Sequence, residues 1–128
     1  MSIDADKKEL ETIIREMADA QSADAIMRHW APDIAWFDIS AANLHGYDAV
    51  HAEFDRQFGK LVECSAEFVE LDIHVSGDLG VVRSVQKFWA KPKEGPDHNI
   101  VTRQTDCFAR RDGVWVEFHQ HISLPMAG

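Results

Sequence analysis

The chain of 128 residues carries 13 basic against 22 acidic residues, a net charge of −9, with 45% hydrophobic and 9% aromatic content. That length suits one domain, residues 1–128, with a real core, and the composition excludes a disordered chain. The acidic balance repels phosphate backbones and anionic lipid, so neither nucleic acid nor a membrane surface is an expected partner.

No long apolar run is present, and the acidic start from Met1 to Asp6 has no apolar signal core. The two cysteines, Cys64 and Cys107, fit no zinc or redox spacing, so free thiols in a cytoplasmic protein are expected. Leu10, Ile13, Ile14, Met17 and Ala18 recur at helical spacing and predict a first helix over about 5–20. Ser22 is a good N-cap for a second helix with Ala23, Ile26, Met27 and Trp30 on one side, and Pro32 should stop it. Ile34 to Ile39 predicts a short strand and Asp48 to Phe58 a third helix, with Gly59 expected as a left-handed C-terminal residue.

The second half reads as strand. Val69, Leu71, Ile73 and Val75 alternate with Phe68, Glu70, Asp72 and His74, and Ser76-Gly77-Asp78 turns the chain. Val81 to Ala90, Ile100 to Ala109 and Val114 to Ile122 complete an antiparallel meander, with a charged Pro- and Gly-rich hairpin loop between the first two of them. On the last strand Trp115, Glu117, His119 and His121 should share one face. Two imidazoles side by side fit a pocket wall, a metal site or an interface. Nothing else in the chain has metal-site character, so no metal and no cofactor are expected. Arg110-Arg111-Asp112-Gly113 reads as a solvated turn. The class is α+β, and a sheet wrapped around the first helix would form a cone with an apolar pocket suited to a small molecule.

The ending Arg110-Arg111-Asp112-Gly113-Val114-Trp115, followed by His119, His121 and Ser123, resembles the NTF2-like superfamily in its SnoaL-like and ketosteroid-isomerase-like branch. It also resembles the association domain of calcium/calmodulin-dependent kinase II. The likeness covers nearly the whole chain and implies an NTF2-like cone: three N-terminal helices packed on a curved antiparallel sheet that encloses a pocket. The superfamily includes isomerases, dehydratases, cyclases, epoxide hydrolases and domains without catalysis, so the fold leaves the activity open. Asp33-Ile34-Ala35-Trp36-Phe37-Asp38 is similar to the segment that ends in the ketosteroid isomerase general base, which implies that role for Asp38. Thr105-Asp106-Cys107-Phe108 is similar to the strand bearing that family's protonated oxyanion-hole acid, which implies that role for Asp106. Counted back from Asp38 without gaps, Ile14 stands where that family carries a tyrosine. Losing one oxyanion-hole donor costs about 10²–10³ in rate, so a true steroid isomerase is not expected.

Each candidate has a plainer alternative. Asp38, beside Trp36, Phe37 and Ile39, has the apolar setting a general base needs, or is an exposed strand-end acid capping a turn. Asp106, on a face with Ile100, Thr102, Gln104 and Phe108, lines a pocket or pairs with Arg83 or Arg103. Dehydratases of the superfamily pair a histidine with an aspartate, which implies a His119–Asp38 acid/base pair; structural hydrogen bonding by both histidines is the alternative. The expected ligand wall is Ile14, Met17, Trp30, Trp36, Phe54, Phe58, Trp89 and His121. Together these suggest a protein that binds a small, largely apolar carbonyl- or hydroxyl-bearing molecule. Asp38 would move a proton next to the carbonyl, and Asp106 or His119 would stabilise the oxyanion. The alternative is a non-catalytic ligand-binding or association domain. Either way a homodimer through the exposed sheet face is expected.

Overall fold

The computed structural model describes residues 2–40 and 43–126. Helix α1 spans Ile3–Asp19, and Ser2 caps it by accepting the Ala5 N–H at 3.1 Å. Its stripe of Leu10, Ile13, Ile14 and Met17 is buried. Helix α2 spans only Ala23–Ile26, with Ser22 as its cap as expected. Trp30 does not extend it; it opens strand β1 (Trp30–Phe37). Pro32 therefore lies inside a strand, where it is tolerated because the β1 register shifts between Trp30 and Ala35. Strand β2 (Leu44–His45) and helix α3 (Tyr47–Phe58) follow. Gly59 is right-handed, at φ −61°, and not left-handed as expected. Its N–H bonds back to the Asp55 carbonyl, and the Lys60 N–H to that of Gln57, so the last turn needs no left-handed residue to close.

Strands β3 (Leu61–Ser76), β4 (Leu79–Pro92), β5 (His98–Arg111) and β6 (Val114–Ser123) form a meander in a six-stranded sheet of order β2-β1-β6-β5-β4-β3. The sheet is not wholly antiparallel: β1 runs parallel to β6. With β2 and β3 left as free edges, the sheet curls around the helices without closing, and α1 packs against β3 and β4. Among the described residues no helix is long and apolar enough to cross a membrane.

Two irregularities change which side chains face inward. In β3 the register shifts between Phe68 and Glu70, so Phe68, Leu71, Ile73 and Val75 turn in while Val69 is exposed. In β6 Cys107 faces His119 but the next residue, Phe108, faces Glu117, which leaves Phe118 as an extra residue. Trp115 and Glu117 therefore point into the protein before the bulge, and Gln120 after it. His119 and His121 fall on the opposite face, contrary to simple alternation.

Leu10, Ile14, Trp36, Phe108 and Trp115 make up the centre of the core. The approach of α1 to the sheet depends on Gly80, because a Cβ there would lie 2.6 Å from Leu10 Cδ1. Arg110 ties the same region together and is no solvated turn residue. It donates to Asp6 of α1 (2.7 Å), to Asp78 (3.0 Å) and to the Gly77 carbonyl (3.1 Å), and lies 4.6 Å from the Trp115 ring. Arg111 forms a forked pair with Asp33 on β1.

Candidate functional site

Between the helices and the inner face of the sheet lies a cavity of about 850 Å³. Ile14 and Met17 of α1, Trp36 of β1, and Phe54 and Phe58 of α3 form its helical and aromatic wall. Phe88, Ile100 and Ile122 continue that wall on the sheet. Gln86, Thr102, Gln104 and Gln120 break it with a polar strip, and the exposed charges of Arg56, Lys60, Lys93 and Glu94 border it. The size and mainly apolar lining suit a small organic ligand.

Asp38, just past the end of β1, lines this cavity. Its Oδ2 accepts from Ser40 Oγ at 2.6 Å and Gln57 Nε2 at 3.1 Å, with the Ser40 N–H at a longer 3.4 Å. Oδ1 has no hydrogen-bond partner among the described residues. Gln57 also donates to Glu53 at 2.9 Å, and the Arg56 guanidinium lowers the Glu53 carboxyl to about 2, so Glu53 stays anionic and keeps the Gln57 amide turned this way. Asp38 is thus a carboxylate with one oxygen clamped and one left for a ligand.

Asp106 does share its face with Ile100, Thr102, Gln104 and Phe108, but it sits behind the cavity surface and not on it, at 0% exposure. Gln120 Nε2 donates to its Oδ1 and Gln104 Nε2 to its Oδ2, each at 2.8 Å. Neither arginine alternative applies: Arg83 pairs with Asp72 on the outer face, and among the described residues Asp106 makes no ion pair with an arginine. Beside Asp106 lies Glu117, also fully buried, and among the described residues its oxygens have no other donor or acceptor in reach. Burial raises both carboxyls, and the Glu117 carboxyl is also raised by the neighbouring Asp106. Two buried carboxylates cannot face each other unless one keeps its proton. The proton belongs on Glu117, since Asp106 has the two amide donors to stabilise its charge.

Four further expected site residues lie away from the cavity. The Phe118 bulge turns His119 and His121 outward, where both pack edge-on against Phe37. His119 Nδ1 donates to the Ala35 carbonyl at 2.9 Å, which places its proton on that nitrogen. Trp30 packs edge-on against Phe54, behind the cavity wall. Trp89 faces outward from β4, and its Nε1 donates to Asp97 at 3.0 Å. Sequence reasoning passed over Gln86, Gln104, Gln120 and Glu117. The available signal was polar residues in the inward register of long strands, but for β6 that register becomes readable only once the bulge is placed.

Residues 10–127 match the family of SnoaL-like domains. No curated protein matches the chain significantly. Among solved structures, a candidate dehydratase of the NTF2-like family from Streptomyces avermitilis superposes with a TM-score of 0.87 at 15% identity, covering 98% of this chain and 100% of that one. An NTF2-like protein of unknown function from Pseudomonas putida gives 0.84 at 25% identity, covering 99% and 91%. A candidate calcium/calmodulin-dependent protein kinase II association domain from Xanthomonas campestris gives 0.77 at 18% identity, covering 94% and 85%. The six-stranded curled sheet, the helices packed on it and the match over residues 10–127 lead to one conclusion: the chain belongs to the SnoaL-like family and has the NTF2-like fold.

Proposed function

We propose that this protein binds a small, largely apolar ligand in its cavity and that Asp38 removes a proton from a carbon next to the ligand's carbonyl. The half-clamped Asp38 carboxylate carries this reading, since a general base must be held still while one oxygen stays available. The candidate dehydratase among the structural neighbours is consistent with such chemistry. Isomerisation and dehydration of hydroxy-ketones both begin with that step. Asp106 and His119 take no direct part, because neither lines the cavity. The test is turnover of enones and hydroxy-ketones by wild type and Asp38→Asn. Turnover in wild type, reduced at least about 10²-fold in the variant, supports the assignment; equal turnover in both sinks it.

A second reading is favoured by the burial of Asp106 and the outward turn of His119, which leave Asp38 without either of its expected partner acids in the cavity. On it the domain binds its ligand without turning it over, and the screen would show binding in the absence of reaction. Both readings include a homodimer through the outer sheet face, where Val81, Trp89 and Val101 offer apolar surface. Both also place the protein in the cytoplasm, consistent with its free thiols Cys64 and Cys107.

A further inference from the structure

The polar strip inside the cavity is unusual for a surface otherwise lined by aromatic and aliphatic side chains. Gln86 is only 5% exposed and Gln120 only 2%. Each amide has at least one fixed partner. Gln120 is held at both ends, its oxygen accepting from Trp36 Nε1 at 2.9 Å and its nitrogen donating to Asp106. Gln104 donates to the other oxygen of Asp106, and Gln86 donates to Ser84 Oγ at 2.9 Å. Because a carboxylate only accepts, Asp106 forces both neighbouring amides to turn their nitrogens toward it. Gln104 Oε1, Gln86 Oε1 and Thr102 Oγ1 are then left without a partner among the described residues. Gln86 and Thr102 face each other across β4 and β5, and Gln104 is two residues farther along β5, so the three form one continuous patch on the cavity surface.

We infer that this patch is a hydroxyl-recognition subsite, with Gln104 and Gln86 as its contacts and Asp106 as the positioning residue that sets the orientation of Gln104. The inference rests on the reading that the cavity binds a small apolar ligand, and it names the group on that ligand which the cavity selects. A hydroxyl both donates and accepts, so it satisfies an amide oxygen and can take an N–H as well. An ether of the same shape offers no donor and leaves the oxygens buried and unpaired, which the site penalises.

The test uses three matched probes with purified full-length protein: 4-propylphenol, 4-propylanisole and propylbenzene, with affinities measured by calorimetry. The phenol should bind at least about tenfold more tightly than the anisole, equivalent to about 1.4 kcal/mol. Gln104→Met should bring that ratio close to one while all three probes still bind. Asp106→Asn, which touches no ligand but frees the Gln104 amide to turn, should lower the ratio without lowering propylbenzene affinity. A merely structural role for Asp106 would instead weaken all three probes together. Equal binding of phenol and anisole to wild type overturns the subsite and leaves cavity binding standing. Failure of every probe to bind overturns both. A ratio unchanged in Gln104→Met and Asp106→Asn also overturns the subsite.

Discussion

Replacing Arg110 with methionine tests the structural role assigned to the end of β5. The Arg110 side chain is 15% exposed and that of its partner Asp6 is 7% exposed, whereas Asp78 is 75% exposed. The Asp78 contact is therefore screened by water and contributes about 0–1 kcal/mol. The Asp6 contact dominates, because removing the arginine strands a buried carboxylate, and breaking such a pair costs about 3–5 kcal/mol. Arg110 keeps some water access, so the low end applies, and the methionine retains part of the packing on Trp115. The expected loss is about 3 kcal/mol, a large share of the roughly 5–15 kcal/mol that holds a domain together. Urea unfolding followed by tryptophan fluorescence measures it. Asp6→Leu and the double variant complete a cycle, in which the double variant should lose about 2 kcal/mol less than the two single losses added together. A loss below about 1 kcal/mol in Arg110→Met, or strictly additive losses, would refute a buried pair joining α1 to the end of β5.

Three further outcomes are expected. The raised carboxyls of Asp106 and Glu117 make the folded state bind more protons than the unfolded state above the ordinary carboxylate range. Wild-type stability should therefore fall as pH rises from that range toward the folded-state values, and Glu117→Gln should flatten the decline in denaturant titrations across pH. Gly80→Val should cost about 1–3 kcal/mol by pushing a side chain into Leu10, seen as a lower urea midpoint, while Gly77→Ala, with open space around its Cβ, should show only the strain of its positive φ. Light scattering should return twice 14.5 kDa for wild type and 14.5 kDa for Val101→Glu, since a charge on the outer face opposes pairing there; a wild-type monomer contradicts the dimer.

Much of the architecture was legible because it rests on local patterns. The stripe from Leu10 to Met17, the Ser22 cap and the inward set on β5 follow from period and hydrogen-bonding chemistry that neighbouring residues determine. The family likeness rested on the composition of β6 and survived an error about the faces of that strand. What could not be read depends on contacts far apart in the chain. The parallel pairing of β1 with β6 joins the first third to the last, and no local pattern announces it. The Phe118 bulge is set by how β5 and β6 pair, so counting by twos along β6 misplaced both histidines. Asp38 stood out by the resemblance of the Asp33-to-Asp38 segment to a general-base segment, but the clamp from Ser40 and Gln57 needed α3 folded against the end of β1. Asp106 was noticed as an acid in a strand, and only its burial behind Gln104 and Gln120 reveals it as an anchor.

The extra residue at Phe118 has a consequence for how such a cavity can change its chemistry. Deleting it would leave Glu117 opposite Phe108 and His119 opposite Cys107 in an unbroken register with the faces unchanged, whereas drawing Phe118 into the ladder would turn His119 and His121 inward and Gln120 and Ile122 out. An amide floor would become an imidazole floor without a single substitution. In a curled sheet of this kind, the presence or absence of one bulge is a chemical alteration as large as several point mutations, made in one step.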